Sequence, residues 1–220
     1  LGDVYKRQEI TLPTTPIQHP DDEEGEIALC ILSAINVGSI KLDELDDLCD
    51  IAVRGLDELI DYQKYPVKAA ENSTKKRRSL GVGFIGLAHY LAKNGEHYDD
   101  ESAWQLTHDL TEAFQYYLLK SSNQIAKEKG KCEYFDRTKY SQGILPIDTY
   151  KSEVDEIVPN NLKYDWESLR TSITTHGLRH STLSAQMPSE SSSVVSNATN
   201  GIEPPRDYLS VKKSKKGLSL

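Results

Sequence analysis

The stretch Ile27-Ala-Leu-Cys30-Ile-Leu-Ser33-Ala-Ile-Asn36-Val37 is apolar almost throughout, broken only at Cys30, Ser33 and Asn36. A strand with one wet face alternates; a run without alternation belongs to a strand covered on both faces, the habit of parallel sheets. Residues 27–37 therefore read as a buried strand, with Cys30 mid-strand on buried backbone. Downstream, Leu42, Leu45, Leu48, Cys49, Ala52, Leu56, Leu59 and Ile60 recur at three- and four-residue steps, one stripe of an amphipathic helix that the Tyr65-Pro66 step should end. On that stripe Cys49 reads as core filler.

The remaining chain continues the alternation of strands and helices. Residues 70–78 are polar and basic and read as a solvated loop, followed by a helical pattern at Phe84, Leu87, Ala88 and Leu91 that stops at Asn94-Gly95. Ser102-Ala-Trp-Gln105 has the spacing of a capping box opening a long helix through Leu106, Leu110, Phe114, Leu118 and Ile125 to Gly130. Residues 131–161 look irregular. Asp165 can cap a short helix closing at Gly177, and residues 182–187 read as a strand broken by Pro188. Strands alternating with helices predict an α/β fold whose functional residues lie at strand ends and in the loops after them.

Composition narrows the function. Across 220 residues, 26 Lys+Arg against 34 Asp+Glu give a formal charge of −8, which argues against a nucleic-acid partner, because that affinity comes largely from cationic counterion release. No run approaches a membrane span, and three cysteines without a CxxC favour a reduced, cytoplasmic setting over a disulfide scaffold. The six histidines show no metal spacing; His176 and His180 flank the helix-breaking Gly177, so no metal is expected.

Two local motifs invite chemistry. Gly81-Val-Gly83-Phe-Ile-Gly86 spells a dinucleotide fingerprint, but the polar stretch 72–79 stands where its strand should be, so the glycines read as close-packing positions. Pro188-Ser-Glu-Ser-Ser-Ser193 follows a strand, and backbone N–H groups with the hydroxyls of Ser189, Ser191 and Ser192 could grip an oxyanion. Glu190 would repel a dianion if it faced it. Cys30 and Glu9, taken singly, carry nothing specific.

Five ordered segments, Glu9-Ile-Thr-Leu-Pro-Thr-Thr-Pro16, Gly25-Glu-Ile-Ala-Leu-Cys30 through Ser33, Arg78-Ser-Leu-Gly-Val-Gly83, Thr175-His-Gly-Leu-Arg179, and Met187-Pro-Ser-Glu190 continuing through Asn197-Ala-Thr-Asn-Gly-Ile-Glu-Pro-Pro205, together resemble the catalytic large subunit of class I ribonucleoside-diphosphate reductase, nearest its bacterial class Ia branch. The resemblance implies part of a ten-stranded α/β barrel in which a thiyl radical removes the substrate's 3′ hydrogen, the 2′-hydroxyl leaves as water, and two cysteines supply the electrons. By the same resemblance Cys30 matches one of those redox cysteines and Glu9 the carboxylate that handles the 3′-hydroxyl proton. Ser189, Glu190, Ser191 and Ser192 match the loop that holds the substrate diphosphate.

Beyond the chain, the resemblance implies ATP and dNTP effectors, a small subunit whose diiron centre supplies the radical, a large-subunit homodimer, and thioredoxin or glutaredoxin as reductant; no cofactor is expected on this chain itself. The family pattern Asn-x-Cys-x-Glu would place the radical cysteine at position 7, where this chain has Arg7. Residues 1–8 therefore read as a non-native scar and 9–220 as a partial catalytic barrel domain, inactive alone. The competing class is a non-catalytic nucleotide-binding or helical interaction module built on the long helices and the glycine segment; a dinucleotide-dependent oxidoreductase would need a strand before Gly81.

Overall fold

A computed structural model describes residues 10–205 and 207, and the backbone of residues 212–214 and 217–219. In chain order its elements are β1 (Leu32–Asn36), α1 (Leu45–Tyr62), α2 (Lys68–Arg77), β2 (Gly81–Ile85), α3 (Leu87–Lys93), α4 (Glu101–Lys129), α5 (Trp166–His176), α6 (Glu190–Val195), β3 (Lys212–Ser214) and β4 (Gly217–Ser219). The fold is mixed α/β. The last two strands pair antiparallel, while β1 and β2 pair parallel in the register Leu32↔Gly81 to Asn36↔Ile85.

Periodicity located α1 and α4 because their buried faces are largely apolar, and the cap Asp165 with the closing Gly177 located α5. Leu45, Cys49, Val53, Leu56 and Ile60 of α1 pack along α4, which buries Leu110, Phe114, Leu118 and Ile125. The α1 helix stops at Tyr62, ahead of Pro66, and the Tyr65 hydroxyl donates to the Ile60 carbonyl at 2.6 Å, satisfying one end group. Asp165 caps α5 by accepting from Ser168 N at 3.0 Å, and Gly177 closes it at φ 79°. The start of α4 departs from expectation. Asp100 is its N-cap residue, while Ser102 bonds Glu96 and Gln105 bonds Asp109, so no capping box forms. Residues 131–161 are short 3₁₀ turns, one flank of them held by the buried Glu112 carboxylate, which accepts from Lys163 N, Tyr164 N and Trp166 Nε1.

The polar stretch 70–78 is not a solvated loop. It forms most of α2, whose inward face carries Asn72, Ser73, Thr74 and Arg77, all buried. Specific partners make that burial tolerable. Asn72 Nδ2 donates to the Glu23 carbonyl at 2.7 Å, and Arg77 forks onto Glu26 at 2.6 and 2.8 Å. Lys75, Lys76 and Arg77 complement the helix's negative end, and Arg78 terminates it in the left-handed region at φ 48°.

That termination also corrects the reading of residues 81–86. Directly after Arg78 the chain extends, so Gly81–Ile85 is a fully buried strand rather than the opening of a helix; α3 begins only past Gly86, at φ 83°. On its other edge β2 meets the predicted strand 182–187. Leu80 N and Val82 N donate to the Thr182 and Leu183 carbonyls at 2.9 and 2.7 Å, and Ala185 N donates to Val82 O at 3.1 Å. Past Ala185 the Gln186 side chain takes over, its Nε2 donating to Phe84 O at 2.7 Å. This segment is therefore a third parallel strand in direction, bonded through its backbone for only half its length.

The sheet has two unlike faces. Ile35, Val82 and Phe84 enter the core with α1 and α4, Phe84 meeting Phe114 edge-on at 5.4 Å. The other face carries Gly81 and Gly83, closely overlain by Leu32, Ala185 and Met187. A side chain at Gly83 would collide with the Ala185 carbonyl oxygen and stand 2.8 Å from Met187 Sδ. Gly83→Val is expected to destabilise the fold by ~1–3 kcal/mol or prevent it; urea unfolding checks this, and an unchanged midpoint would contradict the packing role.

Candidate functional site

Loops meet at the carboxyl end of this sheet, beyond Asn36, Ile85 and Met187. Pro188 breaks the third strand, Ser189 precedes the six-residue α6, and the chain then turns back. Ala198 N donates to Ser193 O, and Gly86 N donates to Thr199 O, both at 2.9 Å. Ser189 is 6% exposed, and its Oγ has no hydrogen-bond partner. Ser191 and Ser192 face solvent, Ser192 Oγ reaching the Ser189 carbonyl at 3.4 Å, and Glu190 is half-buried. A helix of six residues offers little dipole, so anion binding here depends on hydroxyls and turn amides.

Cys30 departs from expectation. It is exposed and lies two residues before β1, not mid-strand on buried backbone. The cause is its partner: β2 cannot extend upstream of Gly81 alongside residues 27–30, because Arg78 is still closing α2. Cys30 thus stands at the amino end of the sheet and Ser189 past its carboxyl end. The described residues do not bring the two to one strand end, and a ligand touching both must run lengthwise. Glu9 lies outside the described residues. Among the described residues no group of three or more His, Cys, Asp or Glu could hold a metal ion, and no helix is long and apolar enough to cross a membrane.

A buried polar cluster on α1 and α4 escaped the sequence reading. Asp57, wholly buried on α1, accepts from Arg78 Nε at 2.7 Å, Arg179 Nε at 3.2 Å and His180 Nε2 at 3.1 Å. Ser122 of α4 pairs with His180 Nδ1 at 2.9 Å. One proton arrangement satisfies all of these: Nε2–H donates to Asp57, Ser122 O–H donates to Nδ1, and His180 N–H donates back to Ser122 Oγ at 3.2 Å. The only signal in the sequence was a carboxylate interrupting an apolar stripe between Leu56 and Ile60.

Although Ser122, His180 and Asp57 are ordered like a hydrolytic triad, each is 0% exposed and the carboxylate is already engaged by two arginines, so no substrate can reach the serine. The cluster is structural. It clamps Arg78, just before β2, and Arg179-His180, just before the third strand, to one point on α1. The glycine motif likewise loses its nucleotide reading, since Gly81 and Gly83 lie inside a buried strand and only Gly86 meets a helix.

Helices backing a parallel sheet, with polar loops gathered at the carboxyl ends of its strands, define an α/β domain, a class in which ligands commonly bind at that end. Comparison with known proteins makes this specific: residues 8–219 match the family described as ribonucleotide reductase, barrel domain, and the chain belongs to that family. It is 62% identical over 211 residues to the ribonucleoside-diphosphate reductase subunit alpha of Haemophilus influenzae, covering 96% of this chain and 28% of that protein. The Escherichia coli ribonucleoside-diphosphate reductase 1 subunit alpha is 61% identical over 159 residues, 72% of this chain and 21% of the relative. The phage T4 subunit alpha is 48% identical over 212 residues, 95% and 27% respectively. The chain thus spans under a third of the length of these relatives.

Burial alone would raise the Asp57 pKa, but its donors His180 and Arg78 outweigh that and hold it far below the usual carboxylate range, while burial lowers that of His180. Both shifts make the unfolded state bind more protons, so stability rises with pH. Unfolding midpoints should fall as pH drops below about 6.5, where an unfolded histidine charges, and again below about 4 as carboxylates protonate. Asp57→Ala, which leaves the buried Arg78 with Asp61 as its remaining carboxylate and takes the acceptor from His180 Nε2, should cost ~3–5 kcal/mol. A flat pH profile between 7 and 5, or a loss under about 1 kcal/mol in urea unfolding, would contradict the assignment.

Proposed function

We propose that this chain is part of the ten-stranded catalytic barrel of a ribonucleoside-diphosphate reductase large subunit, the whole protein converting ribonucleoside diphosphates to 2′-deoxyribonucleoside diphosphates. The observation that carries the reading is the polar loop after the third strand, with a buried, unpartnered Ser189 Oγ at the carboxyl end of a sheet, in a chain of this family. Ser189, Glu190, Ser191 and Ser192 form the loop that receives the diphosphate, with hydroxyls and turn amides as donors. From there the ribose extends in the direction of Cys30, and Glu9 takes the proton of the 3′-hydroxyl.

In the reductive step the C2′–O bond breaks and the hydroxyl leaves as water, while Cys30 and a second thiol give up two electrons and two protons and become a disulfide. Neither other cysteine of this chain suits that role. Cys49 and Cys132 are buried, and desolvation pushes their thiols up to about 12 and about 11. The second thiol belongs to the rest of the parent polypeptide, and the radical cysteine to the position where this chain has Arg7. The same reading gives the whole protein its ATP and dNTP effectors, a homodimeric partner, a radical-supplying diiron small subunit, thioredoxin or glutaredoxin as reductant, and a cytoplasmic location.

Two outcomes follow. The 220-residue chain mixed with a small subunit is expected to show no turnover of a nucleoside diphosphate; measurable deoxynucleotide product would overturn its inactivity. In the full-length subunit, Cys30→Ser should block multiple turnover with thioredoxin as reductant, and normal cycling of the variant would show that Cys30 is not a redox cysteine.

A further inference from the structure

Buried polar side chains are almost always hydrogen-bonded, so unpartnered ones mark places where something else completes the structure. Among the described residues seven buried side-chain N or O atoms lack a partner, and four of the residues that carry them gather at the carboxyl end of the sheet: Asn36, Ser189, Thr199 and Asn200. Their positions are fixed by independent restraints. The Thr199 carbonyl is bound by Gly86 N just past β2, and Ala198 N is tied to Ser193 of α6. Gly201, at φ 58°, lies over the third strand, where an added Cβ would be 3.8 Å from the Met187 carbonyl oxygen. Residues 198–201 are thereby pinned between the end of β2, the end of the third strand and α6, beside the turn that carries Ser189.

The four groups divide by chemistry. Asn36 uses its Nδ2 on Ser39 Oγ at 3.0 Å, leaving only an acceptor, and that Oδ1 is packed against Gly86. Ser189 and Thr199 each have a hydroxyl free to donate; the unpartnered Asn200 atom is Oδ1, and a half-turn of the amide puts its Nδ2 donor in that place when an oxyanion is bound. Three neutral donors from two separate loops at one strand end suit an oxyanion. We propose that Thr199 and Asn200 are substrate-positioning residues that complete the phosphate site begun by Ser189, each giving a hydrogen bond to the diphosphate. This builds on the reading of the 189–192 loop as the diphosphate site and assigns that site a second wall, from residues 198–201.

The test measures nucleoside diphosphate affinity and thermal unfolding on the full-length subunit carrying Thr199→Val, Thr199→Ser, Asn200→Ala or the paired Ser191→Ala and Ser192→Ala. Thr199→Val and Asn200→Ala should each raise Kd about three- to tenfold, the worth of one hydrogen bond, without moving Tm. Thr199→Ser, which restores the hydroxyl, should restore affinity. Unchanged Kd in both Thr199→Val and Asn200→Ala, a loss that tracks a fall in Tm, or a loss that serine does not repair would overturn the second wall. If the paired serine variant weakens binding and these do not, only this inference fails; if the serine variant binds normally, the diphosphate reading of the loop fails with it.

Discussion

A single buried carboxylate organises this molecule. Asp57 sits at 0% exposure and holds Arg78, Arg179 and His180 at once. Each of those partners immediately precedes a strand. Arg78 is turned into the left-handed region so that its guanidinium reaches back to α1 while its backbone swings outward into β2. Arg179 and His180 do the same for the third strand, and Ser122 ties the histidine to α4. Two strands and two helices are therefore indexed to one point, and the hydrophobic core forms around that frame.

Consequences travel along the strands to their far ends. With β2 and the third strand fixed at their amino ends, the register Val82↔Ser184 sets where Met187 and Pro188 emerge relative to Gly86. Gln186 extends the ladder with its side chain, so the backbone there turns away without leaving Phe84 unpaired. The loops that carry Ser189 and Thr199 are short, and each is tied to the strand ends or to the other. A polar site on so few residues keeps its geometry because rigid elements position it. On the glycine face, Gly81 and Gly83 leave room for Leu32, Ala185 and Met187 to pack directly against β2.

Legibility in the sequence followed chemistry. The helices α1 and α4 showed themselves because apolar residues make up most of their buried faces, and α5 because Asp165 caps it and Gly177 closes it. Failure came where burial is polar: α2 looked like a loop because Asn72, Thr74 and Arg77, which it hides, are residues normally found in water. The strand Gly81–Ile85 was masked by its own glycines and by Phe84, Leu87 and Leu91, which happen to fall at helical spacing across a strand-turn-helix boundary. Cys30 was misplaced because strand length depends on a partner 50 residues away, and no local pattern reports where that partner starts. The 189–192 stretch was legible as a serine-rich turn directly after a strand, whereas the closeness of Thr199 and Asn200 to it became visible only once folding brought residues 198–201 back beside it.

The claim that the Asp57 cluster indexes the strands, and through them the carboxyl-end loops, is tested most directly by amide hydrogen exchange, residue by residue, in the protein and in its Asp57→Asn variant. Protection should fall together at Leu80, Val82 and Ala185, which join β2 to the third strand, and at Gly86, whose N–H holds Thr199 at the opposite end. Faster exchange confined to residues around Arg78, with Ala185 and Gly86 as protected as before, would contradict it.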